Sequence, residues 1–209
     1  MSHCTTFAIS FQDKRLLFRA MRNLGLNPEN KLWQAFRSDL QKKIGIGGEM
    51  LGKLLTGTNG DIHIVFMETE DGLQPFIECS SLSGEELERA GGQLLREVQT
   101  AYLRCTVEEV ARQYRQSGLS AEVREEPTKD GLSFVITMGR SNKSVIVTQR
   151  PDGTVEERVK GIAGRSCTTA TELIERGLAH PKQLNRTWAP EYNATVEDRE
   201  IQVLRLLRD

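Results

Sequence analysis

DIHIVFMETEDGLQPFIEC, residues 61–79, is the stretch whose reading decides the fold class. Two short runs rich in Ile, Val and Phe flank Thr69-Glu70-Asp71-Gly72, and Asp-Gly supplies the positive φ that a tight turn between antiparallel strands needs. The stretch predicts a hairpin of Asp61–Glu68 with Leu73–Cys79. Upstream, Asp13 stands as the cap of a helix in which Leu16, Leu17, Ala20, Met21 and Leu24 recur at helical spacing. Gly25 occupies the usual C-terminal stop. Before it, Cys4–Ser10 is short and rich in Thr, Phe and Ile, and reads as a strand. Downstream, Ser83 with Glu86 forms a capping box for a helix through Leu87, Ala90, Leu94, Val98 and Ala101/Tyr102. Thr106 with Glu109 repeats that pattern and opens another helical stretch through Val107, Val110, Ala111 and Tyr114, ending at Gly118. A second hairpin, Leu119–Glu126 with Leu132–Gly139, turns about Lys129-Asp130-Gly131.

The resulting order is strand, helix, strand, strand, helix, strand, with one strand appended. It predicts an α+β, ferredoxin-like split βαβ sandwich with an appended hairpin, an antiparallel sheet carrying helices on one face. The term names a topology and brings no iron–sulfur centre, because the cysteines do not cluster. Two segments fall outside this order. Asn27-Pro28 restarts the chain and Trp33, Phe36 and Leu40 predict a helix over 31–43, after which 45–60 is Gly-rich and reads as a loop. Beyond residue 140 the rhythm changes. Lys143–Gln149 and Thr154–Lys160 flank Arg150-Pro151-Asp152-Gly153, a third hairpin, and Thr169–Leu178 reads as a short helix stopped by His180-Pro181. Thr195-Val196-Glu197-Asp198 is a further capping box, followed by Ile201, Leu204 and Leu207 at helical spacing. Three parts are expected: a sandwich over 1–140, a small ββα module over 141–194, and an amphipathic tail over 195–209.

With 209 residues, 38% hydrophobic and 27% charged, the chain is long enough to bury a real core. Its apolar runs fall far short of the ~20 residues a membrane helix requires. The formal charge of −1 implies no bulk attraction to nucleic acid or membrane. That balance hides a pattern, with +5 over residues 1–60, −8 over 61–130 and +2 over 131–209. A dipolar surface of this kind can steer a partner, although solvated helix faces such as Glu85-Glu86-Leu87-Glu88-Arg89 account for it as readily. Cys4, Cys79, Cys105 and Cys167 are widely spread, with neither disulfide-framework nor zinc-knuckle spacing. Met1-Ser2-His3-Cys4 opens no basic-then-apolar leader, so a reducing cytoplasm, or a plastid stroma in a plastid-bearing source, is the expected location.

The opening Met-Ser-His-Cys-Thr-Thr-Phe and Leu24-Gly25 resemble the start of the hypothetical chloroplast reading frame thirty-five family. The resemblance resumes at Val98-Gln99-Thr100-Ala101-Tyr102 and Gly118-Leu119, and closes with Val123-Arg124-Glu125-Glu126 and Asp130-Gly131. It covers roughly 1–140, with 27–60 departing from the pattern. Residues 143–194 resemble a second small family of unknown function in Asp152-Gly153-Thr154, Gly164-Arg165-Ser166-Cys167-Thr168 and Pro190-Glu191-Tyr192. The family often has Lys before that Pro, where this chain has Ala189. The resemblance implies that two separate neighbouring proteins are fused here, and that the expected partner is an AAA-type ATPase. Neither family has an established activity, so it implies no catalytic residue and no cofactor.

The candidate residues divide by chemistry. Gly47-Gly48-Glu49-Met50-Leu51-Gly52-Lys53 has phosphate-loop spacing, but position 54 is Leu where magnesium needs Ser or Thr, and no buried strand precedes it. Cys167 is the candidate reactive thiol: a helix start and Arg165 would favour its thiolate, whereas packing of the thiol with Ser166 and Thr168 as caps explains it equally. His3, His63 and His180 are the three histidines, and metal binding or a Cys–His pair would need distant residues such as Cys167 and His180 to converge. Arg15, Arg19, Arg22, Lys42 and Lys43 are candidates for nucleic-acid backbone contact, without the aromatic strand that base stacking requires. Ile201, Leu204 and Leu207 are candidates for partner binding or for covering their own domain. The expected function is a non-enzymatic accessory or adaptor that docks on a larger protein machine. The alternatives are a nucleic-acid backbone binder and a thiol-dependent enzyme centred on Cys167.

Overall fold

The computed structural model describes residues 3–26, 62–79, 81–139, 142–162 and 166–188. They belong to two compact units, Ser10–Tyr102 and Met1–Ile9 with Leu103–Asp209. The expected helix at 31–43, the Gly-rich loop at 45–60 and the tail with Ile201, Leu204 and Leu207 lie outside the described residues.

In the unit Ser10–Tyr102, α1 (Lys14–Asn23) begins where Asp13 accepts hydrogen bonds from the Arg15 and Leu16 amides at 2.8 and 3.2 Å. It ends in a Schellman motif. Gly25 sits at φ +72°, its amide donates to the Arg22 carbonyl, and the Leu26 amide reaches back to Met21, both at 2.9 Å. Leu16, Leu17, Ala20 and Met21 are buried, as their spacing predicts. β2 (Ile62–Thr69) and β3 (Gly72–Cys79) pair antiparallel in full register, from Ile62 opposite Cys79 to Thr69 opposite Gly72. Phe11 packs edge-on against Phe66 with ring centroids 5.0 Å apart, and Tyr102 lies at the same centroid distance. The Tyr102 hydroxyl accepts from the Gln12 and Asp13 amides at 2.9 and 2.8 Å, which fixes the entry to α1.

The helix α2 runs unbroken from Gly84 to Gln116, 33 residues. The expected second start at Thr106 is corrected: Thr106 is buried inside the helix. Leu103-Arg104-Cys105 contains no breaker, and the buried stripe Leu94, Val98, Ala101, Tyr102, Cys105 continues in phase to Ala111 and Tyr114. A Thr-x-x-Glu pattern marks a start only where the chain is free to leave the helix. α2 ends in the same Schellman geometry as α1, with Gly118 at φ +90° and the Leu119 amide donating to the Tyr114 carbonyl at 3.0 Å.

The second unit holds a six-stranded antiparallel sheet in the order β4-β5-β6-β7-β1-β8. Its strands are β1 (His3–Ala8), β4 (Ala121–Thr128), β5 (Gly131–Met138), β6 (Lys143–Gln149), β7 (Thr154–Lys160) and β8 (Asn185–Trp188). The helix α3 (Ser166–Leu178) and a short 3-10 turn (Pro181–Gln183) join β7 to β8. Because β7 and β8 are each antiparallel to β1, they run parallel to one another with β1 inserted between them. That is a split βαβ unit. The α+β class therefore holds, but the ferredoxin-like order expected for the first four strands does not describe the pairing. Both edges of β1 are taken by β7 and β8, so β2 and β3 make a sheet of their own. The boundary expected near 140 falls between β5 and β6, which are hydrogen-bonded neighbours from Leu132–Gln149 to Met138–Lys143.

Strand alternation gives the sheet two faces. Thr5, Phe7, Phe134, Ile136, Met138, Val145, Val147, Val155 and Val159 are buried on the face that meets Tyr114 of α2 and the inner stripe of α3. That stripe is Cys167, Ala170, Thr171, Ile174 and Leu178, all without measurable exposure. Gly177 lets α3 approach α2: a Cβ there would stand 2.8 Å from Thr106 Cγ2.

Candidate functional site

Residues directly opposite one another across the six-stranded sheet share a face. One such row reads Glu125, Phe134, Val147, Glu157, Thr5, Arg186. It carries a carboxylate into the core. Glu157 lies on β7 between Val155 and Val159 and has no exposed surface. Neither of its carboxylate oxygens has a hydrogen-bond partner among the described residues. Burial foremost, and then the charge of Glu175, push its carboxyl well above the usual range, while Arg186 opposes them. Burial therefore favours the neutral form of Glu157 over the carboxylate.

Glu175 comes down from α3 and is 3% exposed, but it is fully partnered. Arg186 on β8 donates to its Oε2 at 2.5 Å. The hydroxyls of Thr5 and Thr171 stand 3.4 and 3.3 Å from its Oε1. Tyr114 completes the surroundings: its hydroxyl donates to the Ala170 carbonyl at 2.7 Å, and burial followed by Glu157 raises its phenol. Five elements, β1, β7, β8, α2 and α3, thus contribute to the cluster around the two acids. The arrangement places an unpaired buried carboxyl beside a buried ion-paired one.

The opposite face has different chemistry. A second row reads Arg124, Val135, Ile146, Arg158, Cys4, Thr187. Val135 and Ile146 are half-buried, and the two arginines are exposed. Arg158 and Arg150 both bind Glu156, the neighbour of Glu157 on the other side of the pleat. Burial raises the Glu156 carboxyl, but the Arg158 and Arg150 guanidiniums outweigh it and hold the group below the usual range. Burial and Glu156 together push the Cys4 thiol up against the pull of Arg158, so Cys4 is kept from the thiolate. Adjacent glutamates on one strand are therefore tuned in opposite directions by the faces they occupy.

Among the sequence-predicted sites, Cys167 lies in the first turn of α3 and is completely buried. His180 lies beyond the other end of that helix, about 16 Å along its axis, where its Nδ1 accepts from the Lys182 amide at 3.4 Å. Arg15, Arg19 and Arg22 share one stripe of α1 at i, i+4, i+7. Lys42 and Lys43 lie outside the described residues, as do Ile201, Leu204, Leu207 and Arg165. Among the described residues no three His, Cys, Asp or Glu side chains gather as a metal site would require, and no helix is long and apolar enough to cross a membrane. The Glu157–Glu175 pair was missed in the sequence although a signal existed: Val155-x-Glu157-x-Val159 alternates onto one face, and Glu175 shares the inward stripe with Ile174.

These features define an α+β protein with an antiparallel sheet and a sealed acid pair beneath its helices. Residues 145–193 match the model of a family described as Protein of unknown function (DUF2997). The matched stretch holds most of β6 together with β7, α3 and β8, and with them Glu157, Glu175 and Arg186. Searches of the curated proteins and of the solved structures gave no match.

Proposed function

We propose that this chain is a non-enzymatic accessory protein that docks on a larger protein machine through the face of its six-stranded sheet opposite α3. The partner implied by its sequence resemblance, in which a reading-frame-thirty-five-like part is fused to the second family, is an AAA-type ATPase. The observation that carries the reading is the row Arg124–Val135–Ile146–Arg158. Two adjacent aliphatics flanked by arginines have the composition of an interface centre and its rim. Glu156 pins Arg150 and Arg158 in place, so less side-chain entropy is lost when a partner meets them. The burial of the two acids and of the Cys167 thiol supports the non-enzymatic reading.

The test is binding of the purified chain to the purified ATPase, with Ile146→Asp as the variant. Ile146 is half-buried on an outer face, so the fold survives, as checked by circular dichroism. Affinity is expected to fall at least tenfold. Unchanged binding by the variant, or turnover of a metabolite lost in Cys167→Ser, overturns the reading. The stripe Arg15, Arg19, Arg22 supports a second reading, contact with a nucleic-acid backbone. That reading requires an affinity that falls steeply with salt and weakens in Arg19→Gln.

A further inference from the structure

We infer that the space between β7 and β8 is a strand-docking slot of the matched segment 145–193, which this chain fills with its own residues His3–Ala8. β7 and β8 are joined through α3 yet are not neighbours, since β1 pairs with β7 from Cys4–Arg158 to Ala8–Thr154 and with β8 from His3–Trp188 to Thr6–Asn185. The matched segment contains both walls of the slot and the helix above it, but not the strand inside it.

Removing β1 in thought shows what the segment lacks. Two strand spacings of about 4.8 Å separate β7 from β8, so neither can pair with the other without moving. The facing edges would present unpaired amides and carbonyls, and β8 would lose the strand it pairs with. Beneath α3, Glu175 would lose the Thr5 hydroxyl, and the buried place of Phe7 would be empty. A segment with this architecture is completed by an added strand.

The slot also states what it accepts. The occupant runs antiparallel to both walls. It places a small hydroxyl residue at the Thr5 position, between Glu157 and Arg186, and an aromatic two residues later at Phe7. Its outward positions, Cys4 and Thr6, tolerate polar character because they are half-buried. The partner is therefore an extended Thr-x-Phe strand, supplied here in cis from a part of the chain outside the matched segment. This surface is an edge pair, separate from the face proposed for docking above.

The experiment introduces a protease site at residues 140–141 of the full chain, cuts it under native conditions and follows the fragments by size exclusion. The fragments are expected to co-elute. In the cut chain carrying Thr5→Pro, which removes an interior ladder amide, retention is expected to weaken by roughly a hundredfold. Fragments that part on cutting, or equal retention with Thr5→Pro, overturn the proposal. Should Thr5→Pro fail to fold, hydrogen exchange on the uncut wild-type chain decides. The β1 amides are expected to exchange within about tenfold of those in β7 and β8, and faster exchange at β1 refutes the slot.

Discussion

Replacing Glu157 by Gln changes the pH dependence of stability in a direction the structure fixes. In the unfolded chain this carboxyl titrates at its ordinary value, 4.5; in the folded protein it is raised well above that. Between those two values the folded state holds a proton that the unfolded state has lost. The stability contributed by the neutral acid is complete below 4.5 and is lost as pH rises toward the folded value. The slope is about 1.4 kcal/mol per pH unit. Gln keeps the shape and the neutrality of the protonated acid and does not titrate. Urea unfolding of both proteins at half-unit intervals from pH 4 to 8 isolates the effect, because other titrating groups cancel in the difference. The variant should gain on the wild type progressively as pH rises above 4.5, and the difference should level off once pH passes the folded value. Parallel curves would show that Glu157 has found a partner or water in solution and is not held neutral.

Arg186→Met leaves Glu175 buried without its cation and should cost roughly 3–5 kcal/mol; the double variant Glu175→Leu/Arg186→Met should recover much of it, as a double-mutant cycle in urea would show. Tyr114→Phe removes the buried hydroxyl that donates to the Ala170 carbonyl and should cost about 1 kcal/mol by thermal melts. Gly177→Ala should destabilise by roughly 1–3 kcal/mol, because the clash with Thr106 outweighs the gain in helix propensity of about 1 kcal/mol. A thiol reagent should modify Cys4 and Cys79 in the native protein and reach Cys105 and Cys167 only on unfolding, with rates read by mass spectrometry. Rapid native labelling of Cys167 would revive the thiol-enzyme alternative.

The local parts of this fold were legible because they carry local chemistry. Asp71-Gly72, Asp130-Gly131 and Asp152-Gly153 each mark a hairpin, and Lys143–Gln149 with Thr154–Lys160 matches the observed strands at both ends. Gly25 and Gly118 mark helix ends that the Schellman geometry explains. What could not be read was non-local. Nothing within Cys4–Ser10 says that its partners are Thr154–Lys160 and Asn185–Trp188. Asn185-Arg186-Thr187-Trp188 lacks an apolar alternation, and its four residues are exposed, so no periodicity betrays β8. The acid pair was hidden for a related reason: Glu156-Glu157 looks like a charged surface until a sheet face is assigned to each residue.

The position of β1 has a consequence for biosynthesis. β1 leaves the ribosome before the two strands that clasp it, since β8 ends 180 positions after Ala8. At ribosomal rates of ~5–20 residues per second that delay is roughly 10–40 s, during which Ser10–Tyr102, a unit of contiguous sequence, can complete itself. Until β7 is made, β1 lacks both of its strand partners, and its unpaired edges are open to capture by a neighbouring chain.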